Sequence, residues 1–145
     1  MQKKLFPQLA VFAILIFLFS GCANRAVVDR NPTFNINNIK TIHIKNSDGG
    51  GDELAPVIAD KLRSLGYINI SIGNDIAPNA DAVITYRDKW MWDITMYMIE
   101  LTITVRDKES WTPIATGNSM HTSLTRKSEK EMVDEVLTNI FNSKI

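Results

Sequence analysis

The side chains that could do covalent or acid–base chemistry in this chain are one cysteine, two histidines, and a scatter of serines and carboxylates. Cys22 stands alone, so no internal disulfide and no cysteine-based zinc site can form. His43 and His121 fall on separate segments, with no His-x-x-x-His pair and no Asp/Glu cluster at ligand spacing. No metal and no cofactor is therefore expected. Ser119 and His121 alternate to the same side of one segment. A serine nucleophile needs a base, an orienting acid and oxyanion donors together, and nothing in the sequence marks that set. Asp81, Asp88, Asp93 and Asp107 sit at segment ends, where carboxylates serve turns. Asn46-Ser-Asp-Gly-Gly-Gly-Asp52 lies between a strand pattern and a helix pattern, where phosphate loops occur. It lacks the following Lys-Ser or Lys-Thr, and its own acids would repel phosphate.

The formal net charge is zero over 145 residues, which gives no electrostatic case for nucleic acid. Hydrophobic content of 45% with 22% charged residues fits one globular domain.

Met1-Gln-Lys-Lys-Leu5 is basic, and Leu9 to Phe19 is an unbroken apolar run ending in Ser20-Gly21-Cys22. The run covers about half of the roughly 20 residues that a spanning helix needs, so it reads as a secretory signal. Phe19-Ser20-Gly21-Cys22 resembles the lipobox of bacterial lipoproteins, with Phe19 where that family usually has Leu. The resemblance implies cleavage before Cys22, lipid on its sulfur, acylation of the new amino terminus, and a membrane anchor. In the Gram-negative version of the family, Asp after the cysteine favours retention in the inner membrane. Ala23 stands there, which implies the outer membrane and a domain facing the periplasm. The processed chain would carry a net charge of about −2, too weak to select a partner. Residues 1–21 are then the signal, 22–38 the lipidated cysteine and an asparagine-rich tether, and 39–145 a single domain.

Several segments must position any site in that domain. Ile39 to Lys45 alternates as a first strand. Glu53 to Leu65 reads as a helix, with Leu54, Ile58, Leu62 and Leu65 on one face, Pro56 in the first turn, Asp52 as cap and Gly66 as stop. Tyr67 to Ile72 alternates again, and strand–helix–strand at this length predicts a parallel pair. Ala80 to Tyr86 reads as a short buried strand ended by Arg87-Asp88-Lys89, and Trp90 to Arg106 as a long central strand. Asp107 to Pro113 reads as a polar turn, and Ile114 to Thr122 as a returning strand whose Ala115, Gly117 and Ser119 suit close packing or an edge. Ser128-Glu-Lys-Glu131 is a capping box, and Met132, Val133, Val136, Leu137, Ile140 and Phe141 follow at helical spacing.

The order β-α-β-β-β-β-α predicts an α+β two-layer sandwich, a mixed sheet with two helices on one face and the last three strands as an antiparallel meander. This order over Ile39 to Ile145, with Ala80-Asp-Ala-Val and then Trp92-Asp before a long alternating strand, resembles small periplasmic lipoprotein domains. Among them are the curli-secretion lipoprotein and the amino-terminal domain of the Tol-associated propeller protein. The resemblance implies shape and compartment, not activity.

One pattern suggests a binding surface. Opposite Tyr97, Ile99, Leu101, Ile103 and Val105, a regular strand places Trp90, Trp92, Ile94, Met96 and Met98 in an apolar row away from the helices. Exposed aromatic and methionine rows mark binding surfaces. A β-bulge near Met96 to Met98 would instead turn that row into the core. The leading expectation is a non-catalytic, membrane-anchored lipoprotein that holds an envelope protein partner through this row. The alternatives are a binder of lipid or cell-wall glycan in an aromatic groove, and a hydrolase of unknown type using Ser119.

Overall fold

A computed structural model of the chain describes residues 24–46 and 53–142. The signal, Cys22, the glycine loop and the Asp52 cap lie outside the described residues. The strands are β1 (Arg25–Arg30), β2 (Thr41–Lys45), β3 (Asn69–Gly73), β4 (Ala82–Trp92), β5 (Met96–Asp107) and β6 (Pro113–Met120). The helices are α1 (Leu54–Ser64) and α2 (Glu129–Asn142), with short 3₁₀ turns at Ile36–Asn38 and Ser123–Thr125. They form one six-stranded mixed sheet in the order β1-β6-β5-β4-β2-β3, and the α+β two-layer arrangement is as expected.

The pairings follow the sequence patterns closely in the middle of the sheet. β2 pairs in parallel with β3 across the α1 crossover and with β4 on its other side. β4, β5 and β6 form the expected antiparallel meander. Both helices bury their stripes on one face. Leu54, Ile58 and Leu62 of α1 and Met132, Leu137 and Ile140 of α2 join Ile42, Ile84 and Ile103 of the sheet in one core. The α2 capping box closes: Ser128 N and Oγ each lie 2.8 Å from Glu131 Oε2, and Glu131 N donates back to Ser128 Oγ at 3.3 Å. Two amide donors at the helix start are thus satisfied.

Two expectations fail. The stretch read as tether holds β1, an edge strand paired along its full length with β6. Its sequence shows no period because neither face is fully buried. Long-range partners hold it instead. Arg25 reaches Asn118 at 2.9 Å and Glu100 at 3.2 Å, and Arg30 donates to the Asn139 and Ile140 carbonyls in the last turn of α2. A cation there also suits the negative end of the helix dipole. The long strand from Trp90 to Arg106 is in fact two strands. β4 runs through Arg87-Asp88-Lys89 to Trp92, and a three-residue turn at Asp93-Ile94-Thr95 starts β5. A turn of that length leaves the alternation nearly in phase, so the periodicity passes through it unseen.

β6 lies inside the sheet, between β5 and β1, so its small residues serve close packing and not an edge. A Cβ added at Gly117 would stand 2.8 Å from Val136 Cγ1 and 3.0 Å from Ile140. Gly117 is therefore what lets α2 settle on the sheet. Gly117→Ala should cost about 1–3 kcal/mol through overpacking, because the β-branched Val136 has little rotamer freedom in a helix. The urea midpoint of the variant checks this, and adding Val136→Ala should recover part of the loss.

Candidate functional site

The pairing of β4 with β5 decides where the apolar row goes. Lys89 pairs with Glu100 and Trp90 with Met98, so Ile99 is an extra residue on β5 without a partner on β4. Its carbonyl accepts from His121 N at 2.9 Å on the other side. This is a β-bulge, one residue beyond the window considered from the sequence. It moves Met98 onto the face of Leu101, Ile103 and Val105, where it is buried at 2% exposure. Met98 thus leaves the candidate surface and joins the core. Trp90 pairs with Met98 and Trp92 with Met96, so these side chains continue the helix-facing side of the sheet and not the opposite one.

They are nevertheless exposed: Trp92 by 70%, Ile94 by 85%, Met96 by 56% and Trp90 by 40%. The reason is length. Eleven-residue β4 extends about 36 Å, whereas α1 and α2, of 11 and 14 residues, are about 16 and 21 Å long. The end of the β4–β5 hairpin overhangs the helices. The bulge therefore occurs, yet four residues of the row stay on the surface.

The tip is held firmly. Arg126, from the segment before α2, donates to Thr95 Oγ1 at 2.8 Å and to Asp93 Oδ2 at 3.0 Å. Its guanidinium also lies 4.2 Å from the centre of the Tyr97 ring. Asp93 N bonds Thr95 O at 3.2 Å, and Trp90 Nε1 donates to Asp88 Oδ2 at 2.5 Å. Met91 and Leu124 add exposed apolar surface at the same end. Arg126 carried no signal in the sequence, because its partners Asp93, Thr95 and Tyr97 lie about thirty residues away.

The acid–base residues assemble differently. Ser119 and His121 do meet, on Glu135 of α2, which the sequence did not connect to them. Ser119 Oγ donates to Glu135 Oε2 at 2.5 Å, and His121 Nε2 lies 2.8 Å from the same oxygen. Lys127 Nζ donates to Oε1 at 2.7 Å. The serine spends its proton on the carboxylate instead of facing an imidazole acceptor, and its side chain is fully buried. The arrangement ties α2 to β6; it does not present a nucleophile to a substrate. His43 is likewise buried, with Nε2 donating to Gly73 O at 3.1 Å and Nδ1 accepting from Ser71 at 2.8 Å. Asp81 accepts the Lys40 and Thr41 amides, and Asp107 the Ser110 amide and hydroxyl; these bonds hold both carboxyls below their usual range. Asp93 serves the hairpin turn, while Asp88 lies within β4.

No family model and no curated protein sequence matches the chain. Solved structures share its fold. The PelC dodecamer from Paraburkholderia phytofirmans superposes with a TM-score of 0.58 at 13% identity, over 81% of this chain and 97% of PelC. A single-residue variant of that dodecamer gives 0.60 at 14% identity, over the same shares. A PDZ domain protein from Parabacteroides distasonis gives 0.51 at 12% identity, over 92% of this chain and 40% of that protein.

Burial pushes the Glu135 carboxyl up, but hydrogen bonds from Lys127, Ser119 and His121 outweigh it and bring it down to about 2. A depressed folded-state value stabilises the fold above the unfolded value of about 4.3, and that contribution is lost as pH falls toward 2. Glu135→Gln should cost about 1–3 kcal/mol at neutral pH, the worth of hydrogen bonds to a charged group. It should also flatten the acid limb of the stability curve between about pH 5 and 2, read from urea midpoints across that range.

Proposed function

We propose that this chain is a non-catalytic component of the bacterial cell envelope, anchored by lipid on Cys22 in the outer membrane and facing the periplasm, that acts by binding through the tip of its β4–β5 hairpin. The observation that carries the reading is that tip: a braced turn presenting Trp92, Ile94 and Met96 to the outside. An apolar projection held in one conformation loses little entropy on contact, which is what a docking element needs. The lipobox-like Phe19-Ser20-Gly21-Cys22 supports the anchor. The closed Ser119–Glu135–His121 cluster supports a non-catalytic role, since the residues closest to a hydrolytic set are used to fasten a helix. The PelC structures of the same fold are dodecamers, so a module of this shape can work through assembly.

Labelled palmitate should enter the full chain in cells and be lost in Cys22→Ser. In a Gram-negative host, Ala23→Asp should move the chain from the outer- to the inner-membrane fraction on a density gradient. A photo-crosslinker at Ile94 should give an adduct with protein or lipid, whereas one at the equally exposed Ile68 beside β3 should not. Adducts from Ile68 alone would end the reading of the tip as the binding surface.

A further inference from the structure

The tip lies at the end of the sheet where β1 begins. Arg25 of β1 pairs with Met120 of β6, Met120 with Glu100 of β5, and Glu100 with Lys89 of β4. These four residues form one row across the sheet. The hairpin continues beyond that row by Trp90, Met91 and Trp92, an extension of about 10 Å. The chain before Arg25 leaves from the same end. Cys22 lies three residues before Arg25, a reach of about 10 Å along the chain. β1 and β5 are two strands apart, about 10 Å in the plane of the sheet. Thr125 Oγ1 donates to Asn24 Oδ1 at 2.6 Å, so Asn24 is tied to the turn that carries the exposed Leu124.

We propose that the tip, through Trp92, Ile94 and Met96 with Leu124 beside it, dips into the surface of the bilayer that holds Cys22. The inference rests on the anchor reading above and names the partner of the same site: a phospholipid surface.

Because β1 starts only three residues after the cysteine, the domain has almost no tether. Acyl chains on Cys22 would hold the end of the sheet that carries the tip against the membrane. The chemistry of the tip suits that place. Tryptophan favours the membrane–water interface, where its ring is buried and its N–H stays near polar groups. Leucine, isoleucine and methionine favour the acyl boundary. Little opposes entry: the Asp93 carboxylate is paired with Arg126, and the backbone of the hairpin is bonded across the ladder to Trp92–Met96 and within the turn. Lys89, exposed on the other face of β4, stands about 10 Å behind Trp92, within reach of lipid phosphate groups. An amphipathic insertion beside an acyl anchor supplies a second membrane contact and fixes the orientation of the domain, which acyl chains alone would leave free to turn.

The test uses the full chain purified from membranes and reconstituted into phosphatidylethanolamine–phosphatidylglycerol vesicles, with and without bromine on the acyl chains. Trp90→Phe/Trp111→Phe leaves Trp92 as the sole tryptophan. Trp90→Phe/Trp92→Phe leaves Trp111, in the β5–β6 turn at the opposite end. Bromolipid should quench Trp92 strongly and leave Trp111 unchanged, and aqueous acrylamide should do the reverse. Acylation is read separately, from intact mass and vesicle flotation. An acylated, floating chain whose Trp92 ignores bromolipid and meets acrylamide overturns the proposal while the anchor reading stands. Protection of Trp92 from both quenchers also overturns it, in favour of a protein or a second copy on the tip. A chain without acyl groups that still floats with Trp92 quenched supports the tip contact and ends the anchor reading; one that does not float ends both.

Discussion

The antiparallel pairing of β4 with β5 is the constraint on which the rest of this structure depends. β4 carries the parallel half of the sheet through β2, and β5 carries the meander and the β1 edge through β6. The register between them includes one unpaired residue, Ile99, and that single residue puts Met96 and Met98 on the helix-facing side of the sheet. Met98 falls inward with Leu101 and Ile103. Met96, two residues away on the same side, is beyond the reach of the helices and stays exposed. A period of two has only two phases, so a one-residue insertion exchanges them completely.

The second organising feature is the seat of α2. Gly117 admits Val136 and Ile140 at contact distance, and Glu135 collects Ser119, His121 and Lys127 around one carboxylate. Arg30 reaches the final carbonyls of the same helix from β1. Apolar contact, charge and a helix terminus thus fasten α2 to the side of the sheet where the chain enters. The segment that leads into α2 also carries Arg126, which braces the hairpin turn. The seat of the helix and the shape of the tip are therefore coupled through a few residues of chain.

A fold shared with PelC at such low identity speaks to architecture only, and many functions can sit on one architecture. In this chain the apolar surface gathers at the hairpin end of the sheet. The overhanging hairpin and the start of β1 lie at one end of the sheet, so Asn24, the first described residue, and the tip belong to the same side of the domain. That placement joins two features that lie some seventy residues apart in the sequence.

The sequence by itself determined the local patterns. The α1 and α2 stripes, the capping box, the parallel pair and the meander were legible, because each is written in residues a few positions apart and burial enforces the period. Whether a serine and a histidine on one strand form a site was not, since the acid that claims both, Glu135, comes from α2. Nor was β1, whose partners Asn118, Glu100 and Asn139 are far along the chain. The turn at Asp93 to Thr95 stayed hidden because it preserved the alternation. The exposure of Trp92, Ile94 and Met96 was decided only by the tertiary structure. Alternation states which residues share a side of a strand, but whether a helix is long enough to cover that side depends on how separate elements end against one another.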